Sequence, residues 1–520
     1  MIVRDLQPIS TVEDRGFNAF VKTLDPHYKI PSRKRLMEGT IADMYKDCQD
    51  KVRANCQCAH NVVLTTDMWT SRSTEAYLTV SCHFIDNWQM QEFVLETCSF
   101  YGQHTADNIS LELKRITDEW DITQKVVAVV TDNGANMVSA VHKAGWKHYP
   151  CFAHTLNLVV KDGIKAVPEV VQLLEKCSSI VSFFHHSTKA TEKLKQIQKQ
   201  LKVAEHKLIQ SVETRWNSVF YMLERLHEQR EAVTTALCLL GKNTLCLSNE
   251  ELSMIHLTIE ALRPFEEATR EVSAEKHVSV SKVIPLVSLL LRAAVATERQ
   301  GSSLATELAL QCQRRFLGIE TFHSLAASTF LDIRFKNLAF RDRDNVETMK
   351  KRMLTEMQEV HQPTSESPPP GSTSAPVPSS ASAPMPRFAS PVTPASTPSS
   401  ASATAKGGIW ADFDIQVLSA QQHRSTGTDA LIEMRRYLEE KLIPWDQDPL
   451  HWWQEHEQTF PSISRLAAKY LGFIASSVPS ERIFSKAGEL VSQRRNRLKG
   501  ENVNMLLFLN KTYKMGKESR

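Results

Sequence analysis

No charge of one sign predominates in this 520-residue chain, where 62 lysines and arginines face 59 aspartates and glutamates for a formal net charge of +3. That balance excludes a histone-like basic field, so nucleic-acid contact would have to use a local patch. Cysteines are sparse and irregularly spaced, ten in all. This excludes a disulfide framework and fits free thiols in a reducing compartment. No run reaches the ~18–20 apolar residues of a membrane span. The opening Met-Ile-Val-Arg-Asp-Leu-Gln-Pro also lacks a charged-then-apolar signal, so neither a membrane partner nor export is expected. Residues 1–60 hold no Cys-x₂-Cys followed by a spaced His pair, and no structural zinc is expected. What remains is globular in composition, with 42 % hydrophobic and 23 % charged residues. The length suggests roughly three or four structural units.

Five segments can be marked out. Residues 1–60 read as a helical lead-in, with Phe17, Phe20, Val21 and Leu24 at helical spacing before Pro26 and Pro31 break it. Residues 61–160 begin with three strands in a meander, turned at Asp86-Asn87. A crossover helix over 105–120 and the continuous apolar strand Val126–Val130 follow. Residues 161–360 read as mostly helical, with long periodic segments at 167–185, 190–209, 216–240, 249–272 and 281–297. Residues 361–408 are Ser, Pro, Ala and Thr, holding eleven of the 22 prolines, and read as a disordered linker that cannot bury enough apolar surface to fold. Residues 409–520 return to helical periodicity.

Asp67 and Asp132 each end a strand. If the crossover places the last strand beside the first, both carboxylates meet at one sheet edge. That arrangement suits a divalent cation, since hard oxygen donors bind Mg²⁺ and two ions ~3.5–4 Å apart can drive phosphoryl transfer. From strand position alone, each reads first as a turn former or helix cap. A third acid is needed. Glu481, opening a helix after Val478-Pro479-Ser480, is one candidate, although the helix dipole alone favours an acid there.

Several blocks resemble the hAT superfamily of cut-and-paste DNA transposases and their host-domesticated relatives with BED zinc fingers. They are Thr66-Asp67-Met68-Trp69-Thr70-Ser71, His104-Thr105-Ala106-Asp107-Asn108-Ile109, Thr131-Asp132-Asn133-Gly134-Ala135-Asn136-Met137, Cys151-Phe152-Ala153-His154-Thr155-Leu156-Asn157 and Glu213-Thr214-Arg215-Trp216-Asn217-Ser218. Phe330-Leu331-Asp332-Ile333-Arg334-Phe335-Lys336 and Ser480-Glu481-Arg482-Ile483-Phe484-Ser485-Lys486-Ala487-Gly488, with Arg497-Leu498, complete the set. The resemblance implies an α/β RNase H-like core interrupted by a large all-α insertion, with a C-terminal helical dimerisation region. It implies that Asp67, Asp132 and Glu481 form a metal-binding DDE triad using Mg²⁺ or Mn²⁺. The same likeness makes Trp216 a residue that stacks on DNA beside Arg215, and it sets Cys151 and His154 near the active site.

Alternatives stay open for several residues. Trp216 also reads as a buried helix-start tryptophan, and His154 as a satisfied core histidine. The basic stretch Arg482, Arg494, Arg495 and Arg497 reads as a phosphate-binding or a solvated face. Trp452, Trp453, Leu466, Leu471, Ile483, Phe484, Leu506 and Leu507 offer an apolar surface for a homodimer or higher oligomer, or for the chain's own core. The expected function is a nuclear, transposase-derived dimer that binds DNA and takes no small-molecule substrate. Catalysis is open, and a non-catalytic regulator of transcription or chromatin is the alternative.

Overall fold

The computed structural model describes residues 1–71, 74–212, 215–273, 277–359, 426–490 and 498–518. The linker expected at 361–408 lies outside them, as do Arg494, Arg495 and Arg497. Five strands form one mixed sheet in the order β3-β2-β1-β4-β5. β1 (Val62–Thr70), β2 (Ala76–Asp86) and β3 (Gln89–Ser99) are the antiparallel meander. Asn87 and Trp88, both at positive φ, turn the β2–β3 hairpin, as a two-residue connection with matching twist requires. The helix Ala106–Glu119 crosses over, and β4 (Val126–Thr131) then runs parallel to β1. β5 (His148–Pro150), parallel to β4, gave no sequence signal because it is three residues long and carries no apolar pair.

Alternation along β1 divides the interior. Val63 packs with Ala128 and Val130 against the large helical body, while Val62 and Leu64 pack with Ile109, Leu113 and Ile116 of the crossover helix. Both faces are therefore covered, which explains the unbroken apolar run in β4. The sequence block around Thr105 is a helix start: Thr105 Oγ1 accepts from Asn108 N at 3.3 Å, capping the crossover helix. In the lead-in, Phe20 and Leu24 have the anticipated helical spacing but remain exposed, at 61 % and 69 %.

The described residues of 152–359 are mostly helical, opening with α1 (Phe152–Lys165). Among the described residues there, strand-type pairing is confined to the isolated bridge Val212–Arg215. One correction concerns apolar length. Val280–Glu298 spans 19 residues at a mean hydropathy of 1.6, long and apolar enough to cross a membrane. Its Val283, Ile284, Val287, Leu290 and Leu291 are packed into the main core.

The chain re-enters at α2 (Thr426–Glu439) and ends in α3 (Val478–Leu490) and α4 (Gly500–Glu518). The Leu-Asp-Ile-Arg-Phe-Lys block fastens this return. Asp332, fully buried, takes a forked pair of hydrogen bonds from Arg334 at 2.9 and 2.6 Å and one from Ser281 Oγ at 2.6 Å. Arg334 also donates to the carbonyls of Trp445 and Gln447, each at 3.2 Å. Lys336 Nζ donates to the Tyr437 and Glu440 carbonyls at the end of α2, satisfying acceptors that a helix terminus leaves open.

Candidate metal and nucleic-acid site

The β1–β4 register builds the site. Thr65 lies beside Val130 in the parallel ladder, so Asp67 and Asp132 sit at one level, two residues beyond it. Each carboxylate is steadied by its own backbone: Asp67 Oδ1 accepts from Met68 N at 2.8 Å, and Asp132 Oδ1 from Gly134 N at 3.1 Å. The short Asp132–Gly134 turn is also tight, for a Cβ on Gly134 would lie 3.1 Å from Asp132 Oδ1.

Glu481 arrives from the other end of the chain. Its helix α3 lies on the face of β1 that carries Thr65, Asp67 and Trp69. Phe484 packs on Trp69 with ring centroids 5.8 Å apart, and Ser480 Oγ meets Thr65 Oγ1 at 2.9 Å. The three acids feel one another. Burial pushes Asp67 up to about 7, and the neighbouring Asp132 and Glu481 charges add to the rise. Glu481 keeps an exposed edge although protein surrounds most of its carboxylate, and that burial raises it. His154 and Arg215 draw it back down, and Asp132 raises it again. Among the described residues no lysine or arginine forms an ion pair with Asp67, Asp132 or Glu481. Three hard oxygen donors, crowded and without a fixed counter-cation, are a donor set that suits Mg²⁺ or Mn²⁺. They are not drawn into one knot. The described donor atoms that all lie within 4.8 Å of one another belong to Glu96, Cys98 and Glu112, where Arg115 already forms ion pairs with both glutamates at 2.8 Å.

Cys151 works as a splice. Its Sγ caps α1 by accepting from His154 N at 3.4 Å, and it also takes Ser477 N at 3.3 Å. Cys151 N donates to Thr131 O and Phe152 N to Ala475 O, both at 2.8 Å. The motif thus ties the end of β4 to the segment that leads into Glu481, and burial keeps the thiol protonated by raising its pKa. Cysteine spacing gave no hint of this, because the partners are backbone groups.

Other expectations need correcting. Trp216 is only 3 % exposed and belongs to the main core, so its indole presents no open face for a base. Arg215 is exposed beside Glu481. Arg482 is half-buried and donates to Ser273 O at 2.6 Å, so its guanidinium is engaged within the protein. Trp452, Trp453, Leu466, Leu471, Ile483, Leu506 and Leu507 are buried, and Phe484 is half-buried against Trp69. Trp453 stacks on Tyr437 and donates its Nε1–H to Leu331 O at 2.9 Å. Helical spacing shows that a face is covered but not by which chain, and here the same chain covers it.

Comparison with known proteins places these parts in context. The ZBED1 RNase-like domain matches residues 65–145, the ZBED1 RNase-like helical domain residues 149–261, and the hAT family C-terminal dimerisation region residues 433–513. The human zinc finger BED domain-containing protein 4 is 28 % identical over 98 % of this chain and 42 % of its own length. The human zinc finger BED domain-containing protein 6 is 26 % identical over 98 % of this chain and 54 % of its own. The putative AC transposase of Zea mays is 25 % identical over 97 % and 63 %. The chain therefore spans about half the length of these relatives.

Proposed function

We propose, from the premise that this chain is a hAT-type relative of transposases, that it is a nuclear DNA-binding homodimer. Asp67, Asp132 and Glu481 hold Mg²⁺ or Mn²⁺ on an RNase H-like core and support cleavage and joining of DNA strands. The observation that carries the reading is the convergence of three acids from β1, β4 and α3, mutually repelling and, among the described residues, in no ion pair with lysine or arginine. The ions supply, when bound, activation of a water or hydroxyl and stabilisation of the leaving oxygen. The protein's part is placement. Asp67 and Asp132 come from adjacent strands of a buried sheet, Glu481 from a helix start, and His154 and Arg215 stand beside Glu481, offsetting part of the rise that burial causes. Residues 1–60, 61–160, 161–360, 361–408 and 409–520 are the corresponding lead-in, core, helical insertion, linker and closing region.

Nicking of supercoiled or hairpin DNA in Mn²⁺ tests the reading. Asp132→Asn is expected to lower the rate by more than about 100-fold, because even outer partners of a metal are typically worth 10–100-fold. Equal rates would remove Asp132 from the chemistry. A second reading, a dimeric DNA-binding regulator without catalysis, is favoured by the covered indole of Trp216. In the stretch matched to the dimerisation region, Leu442 and Trp445 are exposed at 41 % and 66 % and are open to a second copy. A monomer at micromolar concentration in sedimentation would count against both readings.

The near-neutral chain needs a local patch for DNA, and the helix Thr188–Gln200 offers one. Lys189, Lys195 and Lys199 are exposed on it, and Lys202 and Lys207 follow in the next turn and loop. Glu192 and Glu205 are the only acids in that stretch. Replacing Lys189, Lys195 and Lys202 by Ala is expected to weaken binding to any duplex sequence alike. The slope of log K against log salt should fall by roughly 2–3, at ~0.9 per phosphate contact. An unchanged slope in fluorescence anisotropy would place the phosphates elsewhere.

A further inference from the structure

A line of buried polar groups crosses the sheet beneath Glu481. It starts at Ser480 Oγ, which meets Thr65 Oγ1 at 2.9 Å across 415 positions of sequence. Thr65 Oγ1 also lies 3.2 Å from His83 Nε2 on β2. His83 is the cross-strand partner of Glu92 on β3. Glu92 in turn forms an ion pair with Lys511 Nζ of α4 at 3.0 Å. Ser480 and Thr65 are fully buried, and His83 and Glu92 are 2 % and 4 % exposed. Burial pushes His83 down to about 4, so the ring is neutral and one nitrogen is free to accept from Thr65.

This line is costly to break and hard to replace by chance packing. A buried hydroxyl left without a partner is destabilising, so α3 has one preferred seat on β1. Apolar packing of Phe484 on Trp69 would tolerate a slide along the strand; a hydroxyl–hydroxyl bond does not. The positions matter as much as the contact. Thr65 stands two residues before Asp67 on the same face of β1, and Ser480 immediately precedes Glu481.

We propose that Thr65 and Ser480 are positioning residues whose hydrogen bond, backed by His83, Glu92 and Lys511, seats Glu481 against Asp67 and Asp132. The proposal rests on the reading that these acids bind a divalent cation. It predicts that the contact governs metal affinity and not merely stability.

Mn²⁺ titration of the full chain, with free Mn²⁺ followed by electron paramagnetic resonance and folding by urea melts, tests it. Thr65→Val and Ser480→Ala are each expected to weaken Mn²⁺ binding about ten-fold, and the double variant no further than Thr65→Val alone, since both delete the Thr65–Ser480 contact. Ser480→Thr, which keeps the hydroxyl, should bind like the wild type and covers the case in which Thr65→Val fails to fold. The control is Thr329→Val. It makes the same hydroxyl-to-methyl change at a fully buried residue, whose Oγ1 donates to Ser281 O at 3.0 Å away from the acids. It should lose comparable stability while its Mn²⁺ affinity stays within about two-fold. Wild-type affinity in both Thr65→Val and Ser480→Ala, with Asp132→Asn still impaired, would overturn the positioning role alone. Unimpaired Mn²⁺ binding in Asp132→Asn would overturn the metal reading and this proposal with it.

Discussion

Asp332→Ala should cost the protein about 3–5 kcal/mol in urea unfolding, the usual consequence of leaving one half of a buried ion pair. Asp332 is fully buried and the Arg334 side chain is 5 % exposed. Removing the carboxylate strands a guanidinium in the interior and frees Ser281 Oγ as well. The damage should spread to the returning chain, because Arg334 holds the carbonyls of Trp445 and Gln447. Faster hydrogen exchange is therefore expected over 440–450, while the crossover helix Ala106–Glu119 keeps its protection. A loss below about 1 kcal/mol, in the range of exposed ion pairs, would show that the cluster is not the fastening it looks to be.

The second large effect is a pH-dependent gain. Asp67 rises from 3.8 to about 7 on folding, so the folded state holds its proton more tightly than the unfolded one. That contribution to stability is complete below about pH 4 and is lost as pH climbs through about 7. Asp67→Asn cannot ionise. In metal-free buffer at about pH 8 it should exceed the wild type by about 2–4 kcal/mol, three pKa units at 1.36 kcal/mol each setting the upper end. Near pH 4 the advantage should vanish. Mn²⁺ should reverse the order at pH 8 by stabilising only the chain that retains its ligand. A wild-type-to-variant difference that stays constant from pH 4 to 8 would mean that Asp67 is not under strain.

These effects depend on features of unequal legibility. The apolar runs Val62–Leu64 and Val126–Val130 declared the two strands, and the crossover between them set Asp67 beside Asp132. β5 was silent, because a three-residue edge strand of His148, Tyr149 and Pro150 has no periodicity to read. Residues 167–185 and 281–297 read as helices, close to the observed Pro168–His186 and Val283–Glu298. Periodicity runs on over 190–209, but the helix stops at Gln200 and the chain turns back with Lys202 at positive φ. Partners were the harder question. Trp216, Trp453 and Leu507 each sit in an apolar pattern that marks burial without saying against what. Cys151 and Ser480 act through backbone and hydroxyl contacts that link positions hundreds apart, which local spacing does not encode. The Glu481 assignment came from motif likeness, and the physical reason for its location is the Thr65–Ser480 contact.

The distance in sequence between those two hydroxyls has a bearing on biosynthesis. The sheet edge with its two aspartates leaves the ribosome first, and the glutamate follows about 350 codons later, a delay of roughly 17–70 s at 5–20 residues per second. A nascent or prematurely terminated chain that stops short of Glu481 therefore carries two of the three acids and nothing to complete the set.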